Sequence, residues 1–352
     1  MQGRLARQAK VTAIRAFAKG AGRARYLLAA STLLAGASVA QPVAMPDSSL
    51  DPVLAGQGEK ADLSVMTYNV KGLPWPVAWG RDEAMQRIAE RLAAMRRRGR
   101  QPAVVVLQEA FTSEAKAIGR LAGYPYQVQG PYLRAQAGTS EGNGGHWYRG
   151  ETQASALDSG LVILSDLPIL SVERAAFPTG ACAGYDCMAA KGIVMATVEL
   201  PGGRAAVEMG GSDRHRPAAS GVSFKRTHEA YRKQVAFLAR FLASHRAPDR
   251  PLILAGDFNR GLRPARVAAL AMVGGTMREA SDQDVLQKSS PADAAWIRRR
   301  ARDMQFYSSG SAMRLDAAGM EVPFGTEPDG SMISDHMGFT VDYRLTPRPN
   351  AI

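Results

Sequence analysis

Apolar and polar positions along the chain fall into short runs with two different periods. Leu63-Ser-Val-Met-Thr-Tyr-Asn69 alternates and stops on a polar residue, which predicts a strand. Met85, Ile88, Leu92 and Met95 share one helical stripe, so an amphipathic helix follows. Arg96, Arg97 and Arg98 close it, where their charge complements the carboxyl end of the helix dipole. Ala103-Val-Val-Val-Leu107 is a continuous apolar strand that delivers Gln108 and Glu109. Residues 123–158 are rich in Gly and Gln and predict long loops. Residues 159–164 and 192–200 predict strands, and Pro201-Gly-Gly203 a hairpin turn into a strand over 205–209. Tyr231, Val235, Leu238 and Phe241 mark a second amphipathic helix, leading into the buried strand Pro251-Leu-Ile-Leu-Ala255 and the segment Gly256-Asp-Phe-Asn259. A polar, helical stretch is expected over about 264–303, then strands at 305–307 and 339–343. Many strands, few helices and hairpin connections predict an α/β sandwich: two mixed β-sheets flanked by helices.

Composition excludes several classes. With 46% hydrophobic and 22% charged residues among 352, the chain is globular rather than disordered or fibrous. No fixed period recurs, which argues against a solenoid or propeller. The net charge of +12 suggests nucleic acid, but seven of those charges (Arg4, Arg7, Lys10, Arg15, Lys19, Arg23, Arg25) lie in residues 1–40, where no acid occurs. The remaining +5 suits a phosphate-bearing partner without being a DNA-binding signature.

The seven charges precede an apolar run from Tyr26 to Ala40 that ends with small residues at Ser38 and Ala40. This is the form of a secretory signal cleaved after Ala40. The run falls short of the ~20 apolar residues that span a bilayer, which favours cleavage over an anchor. Residues 41–60, rich in Pro, Gly, Ser and Asp, read as a linker, 61–346 as one catalytic domain and 347–352 as a tail. An exported, monomeric protein, periplasmic or secreted, is expected. In that oxidising setting Cys182 and Cys187 are expected to pair as a disulfide around a Gly-containing loop.

The chemistry-bearing residues share a position: Asn69, Glu109, Asp257 with Asn259, and Asp335 with His336 each stand at a predicted strand boundary. Strand ends on one edge of a sandwich converge, and carboxylates with an amide oxygen suit a hard cation such as Mg²⁺. Such an ion neutralises a phosphodiester while a neighbouring His activates water. Singly, each has a structural explanation. Asn69 suits a turn, Glu109 a solvated strand end, Gly-Asp-Phe-Asn an Asx turn, and Ser334-Asp335-His336 a helix cap or surface loop.

Thr67-Tyr68-Asn69, Leu107-Gln108-Glu109, Leu164-Ser-Asp-Leu-Pro168, Gly256-Asp-Phe-Asn259 and Ser334-Asp-His336 together resemble the signatures of the endonuclease/exonuclease/phosphatase superfamily, over residues 62–345. The resemblance implies a DNase I-like four-layer sandwich and a cofactor of Mg²⁺, Mn²⁺ or Ca²⁺. It implies that Asn69, Glu109 and Asp335 serve the metal and that Asp257 orients the attacking water. Asn259 contacts the phosphate, His336 is the base or phosphate-binding imidazole, and Asp303 is its acidic partner. One departure stands out. Where relatives carry Asn-Thr-His, this chain reads Gly210-Gly-Ser-Asp-Arg-His-Arg-Pro217, so Asp213 or His215 takes the place of the second histidine.

The family spans several phosphodiester substrates, so the fold does not choose among them. Export, the cysteine loop before Lys191-Gly192, and Trp75 and Trp79 in the loop after Asn69 favour a sphingomyelinase-like enzyme acting on a phospholipid. The two tryptophans would make the peripheral membrane contact. Their other role is lid or core packing. The alternatives are an exported DNase I-like endonuclease on nucleic acid, and a degenerate relative that binds phosphate or membrane without turnover.

Overall fold

The computed structural model describes residues 61–132, 146–200, 206–213, 220–274, 277–282, 286–287 and 290–348. The expected signal segment, the linker and His215 lie outside these residues, as do the side chain of Asp213 and the turn at 201–205. Pro74–Trp79 groups apart from the rest of the described chain. Within that turn Trp75 and Trp79 meet edge to face, centroids 5.9 Å apart, and stand 65% and 74% exposed.

The order of elements is β1 (Leu63–Gly72), α1 (Arg81–Arg97), β2 (Val104–Ala110), α2 (Ser113–Ala122), β3 (Tyr126–Gln129), β4 (Val162–Ser165), β5 (Ile169–Ala176), β6 (Gly192–Glu199), β7 (Ala206–Asp213), α3 (Phe224–His245), β8 (Leu252–Asp257), α4 (Pro264–Gly274), β9 (Arg278–Glu279), β10 (Leu286–Gln287), α5 (Pro291–Arg300), β11 (Asp303–Ser308), β12 (Met313–Phe324) and β13 (Gly338–Pro347). One sheet runs β10-β12-β13-β1-β2-β4-β3 and the other β5-β6-β7-β8-β11-β9. Both are mixed. β1 and β2 are parallel because α1 returns the chain between them, and α3 does the same for β7 and β8.

Alternation along each strand divides its side chains between two interiors. Val65, Val106 and Ile163 of the first sheet meet Val194, Ala196, Ile253 and Tyr307 of the second. The opposite face of the first sheet, with Met66, Val105 and Leu107, buries Ile88 and Leu92 of α1 and Ile118 of α2. The opposite face of the second, with Ile193, Leu254 and Phe306, buries Leu238 and Phe241 of α3 and Leu270 of α4. The sheets therefore pack against each other and helices cover their outer faces.

Several local expectations change. The stretch 264–303 is two helices, each begun by a proline at Pro264 and Pro291, with short strands between them. β3 runs through the expected loop 123–158. The strand expected at 159–164 starts at Val162, after Gly160 in a left-handed conformation (φ 64°). The unexpected helix α2 is capped by the Thr112 side chain, which accepts from the Ala115 amide. Cys182 and Cys187 are disulfide-bonded. Arg96 goes beyond a dipole role: it donates to the Ala122 carbonyl at 3.1 Å, lies over the Tyr124 ring and pairs with Asp166.

Candidate active site

The carboxyl ends of the parallel strands and the amino ends of their antiparallel neighbours meet at one edge of the two sheets. Asn69 and Gln108 are in register on β1 and β2, and Asp303 of β11 pairs with Asp257 of β8. Asp213 ends β7 in register with Asp257 on its other side. The backbone of Asp213 thus stands beside the site.

Asn69 is the hub. Its Nδ2 donates to Glu109 Oε1 at 3.0 Å and to Asp257 Oδ2 at 3.2 Å, so one amide draws together residues 40 and 188 positions away. Its Oδ1 accepts from the Lys71 amide at 3.0 Å. Gly72 allows the close approach: a Cβ there would lie 2.7 Å from Ala115 Cβ and 2.8 Å from the Glu109 carbonyl. Asp257 Oδ1 accepts from the Asn259 amide at 2.9 Å. The Asx turns read from the sequence are therefore real, and they aim site residues rather than replacing them. Glu109 (φ 54°) and Asn259 (φ 44°) both take left-handed backbone conformations, the strain that gathers at functional sites.

His336 lies just ahead of β13, the antiparallel neighbour of β1. Ser334 Oγ donates to the Asn69 carbonyl at 2.7 Å and brings the Ser-Asp-His segment onto β1. The His336 ring is buried, 1% exposed, with Nδ1 2.7 Å from Asp303 Oδ2 and Nε2 3.9 Å from Asp257 Oδ2. Nε2 has no hydrogen-bond partner among the described atoms. Burial alone pushes the imidazole pKa down, but the charges of Asp303 and Asp257 and the Asp303 hydrogen bond outweigh it, and the pKa rises to about 9. Burial raises that of Asp257 and the Asp303 charge adds to it, against the opposing charges of His336 and Lys191.

Of the expected residues, Asn69, Glu109, Asp257, Asn259, Asp303 and His336 come together. Asp335 stands at the rim, a third exposed, its Oδ2 3.6 Å from Lys71 Nζ. The other described histidines serve elsewhere: His228 stacks on Phe224, His245 caps the Phe241 carbonyl, and the His146 amide donates to Glu151.

Two cations were missed from sequence. Lys191, paired with Asp186 at 3.0 Å inside the protein, acts on Asp257. Arg266 is buried in α4 beside Asn259. Spacing held a signal for Arg266, which falls on the same stripe as the buried Ala269 and Leu270. Lys191 follows the cysteine loop noted in the sequence, but no spacing there points to Asp257.

Asp257, Asp303 and His336 bring ligand-type atoms within 4.8 Å of one another. His336 Nδ1 is already engaged by Asp303, however, and a hard cation favours oxygen. The better fit lies at the Glu109 and Asp257 carboxylates, which Asn69 Nδ2 holds together as a donor while its own oxygen accepts from the Lys71 amide. Glu109, Asp257 and Asp303 surround one imidazole, and that surplus of negative charge suits a divalent ion.

The sequence profile described as the endonuclease/exonuclease/phosphatase family matches residues 66–336. Among solved structures, beta toxin from Staphylococcus aureus, a double mutant with bound magnesium ions, superposes with a TM-score of 0.56 at 17% identity, covering 80% of this chain and 99% of that one. Sphingomyelinase C from Streptomyces griseocarneus gives 0.55 at 23% identity, covering 79% and 98%. TDP2 from D. rerio, complexed with a single-strand DNA product, gives 0.52 at 19% identity, covering 80% and 98%. At these identities the common property is the fold. No curated protein sequence matches this one.

Proposed function

The chain belongs to the endonuclease/exonuclease/phosphatase family, and from that premise we propose that it is an exported, divalent-metal-dependent phosphodiesterase acting on a phospholipid such as sphingomyelin. The observation that carries the reading is the convergence of the buried Asn69 and Asp257 with the half-buried Glu109 beside the Asp303–His336 pair.

Glu109 would hold the ion, with Asp335 at the rim and Asn69 Nδ2 fixing the Glu109 carboxylate. When bound, a divalent ion supplies charge neutralisation at the phosphate and a Lewis acid for the departing oxygen. Asp303 fixes the His336 ring through Nδ1, leaving Nε2 turned toward Asp257. With a pKa of about 9 this imidazole is protonated at neutral pH, which favours its role as a donor to a phosphate oxygen over that of a base. Asp257 is held at both oxygens, by Asn69 and by the Asn259 amide, and is the group placed to orient water and take its proton. Asn259 stands next to it for the phosphate.

A lipid substrate draws support from the sphingomyelinase among the fold neighbours and from the exposed Trp75 and Trp79, side chains favoured at a membrane interface. Among the described residues no helix is long and apolar enough to cross a membrane. The deciding assay offers sphingomyelin vesicles and DNA separately with Mg²⁺, with and without chelator. Sphingomyelin turnover that chelator abolishes, with DNA intact, is expected; DNA cleavage alone would shift the assignment to a nuclease. Asp257→Ala and His336→Ala should each lower turnover by about 10²-fold or more in folded protein. Undiminished turnover in either would remove the proposed site.

A further inference from the structure

Arg266, in the first turn of α4, is 1% exposed and among the largest fully buried side chains of the described residues. Its Nη1 donates to the Asn259 carbonyl at 2.8 Å. Its guanidinium lies 4.2 Å above the Tyr231 ring and 6.0 Å from that of Phe224. Removing a guanidinium from water is costly, and an apolar residue of similar length would fill this space without that cost. What arginine adds is a positive charge that Asp186 and Asp257 feel and a directed N–H on the Asn259 carbonyl. That carbonyl belongs to a residue with φ 44°, whose amide is held from the other side by Asp257 Oδ1.

We propose that Arg266 is a positioning residue: it clamps the Asn259 peptide from behind and thereby fixes the turn that presents Asp257 and Asn259 to the phosphate. The clamp is stiff because it springs from a helix start, where the Arg266 and Val267 amides both bond to the Arg263 carbonyl. Two anchors, one on the amide of Asn259 and one on its carbonyl, leave its peptide planes little freedom. The turn is thus held by α4 on the outside of the sheet and by Asp257 within the site. Its consequence for turnover rests on the phosphodiesterase reading; its consequence for the turn does not.

Amide hydrogen exchange at Asn259 and hydrolysis of bis(4-nitrophenyl) phosphate with Mg²⁺ test the two separately, in the full chain and in Arg266→Met and Arg266→Lys. In Arg266→Met the Asn259 amide should exchange at least tenfold faster while amides in the middle of β8 and α3 keep their protection. The kcat should fall 10- to 100-fold with KM changed less than threefold. Arg266→Lys, which keeps a cation that can reach the carbonyl, should recover part of both. Native exchange at Asn259 in Arg266→Met overturns the proposal, and so does faster exchange spread evenly over β8 and α3, the mark of a merely structural residue. If Arg266→Met does not fold, Arg266→Lys decides by the same two criteria. If the wild type hydrolyses nothing, the phosphodiesterase reading fails and the exchange comparison alone decides the clamp.

Discussion

An imidazole inside a protein ordinarily loses its proton, because burial penalises the charged form. At His336 the two carboxylates reverse that outcome and lift the pKa from 6.5 to about 9. The folded state then binds a proton more tightly than the unfolded one, so the contribution to stability is complete below pH 6.5 and is lost as pH rises through 9. The shift corresponds to about 3 kcal/mol at most, from 1.36 kcal/mol per unit. Thermal unfolding in chelator should therefore show the melting temperature falling between pH 6.5 and 9. Asp303→Asn, which removes the charge and keeps the shape, should flatten that slope; an unchanged slope would contradict the assignment of the charge to His336.

Between neighbouring elements, the site is held by side chains bonding to backbone. Arg81, at the start of α1, donates to the carbonyls of Lys71 at 2.8 Å, Val70 at 2.7 Å and Ile333 at 3.0 Å. It ties the end of β1, which carries Asn69, to the segment that carries His336. Arg81→Leu strands all three carbonyls. At a half-buried position this should cost about 2 kcal/mol in denaturant unfolding and lower turnover as well. A loss below ~0.5 kcal/mol would mean that the carbonyls find water instead. These connections explain which parts of the fold the sequence discloses. β1, β2 and β8 are central strands whose apolar runs end on a polar residue, so pattern alone located Asn69, Glu109 and Asp257. β5 is an edge strand and largely exposed, and α2 is only ten residues long. The β5 pattern is weak because little of it is buried, and the α2 stripe, though regular, is built of Ala115, Ile118, Gly119 and Ala122, with a single large apolar side chain. The bond from Arg81 to the Ile333 carbonyl and the action of Lys191 on Asp257 join residues distant in sequence through geometry that no local spacing encodes.

For the molecule as a whole, the two sheets bring acids from both halves of the chain to one edge, and an ion bound there would join the halves. Ligand that binds only the folded form stabilises it by about 2.7 kcal/mol at a hundredfold excess over Kd. Mg²⁺ should accordingly raise the melting temperature of the wild type, and Glu109→Ala should abolish most of that rise. An equal rise in both proteins would place the ion away from Glu109.

Asn69 reaches Glu109 across 40 residues, Asp257 across 188 and, through its carbonyl, Ser334 across 265. No fragment shorter than the stretch from Asn69 to Ser334 contains that set of neighbours, and an extended polypeptide keeps them far apart. Catalytic competence is thus a property of completed tertiary closure. During refolding from denaturant it should emerge with the slowest cooperative phase and never in an early burst, which makes hydrolysis a direct clock for the joining of the two sheets.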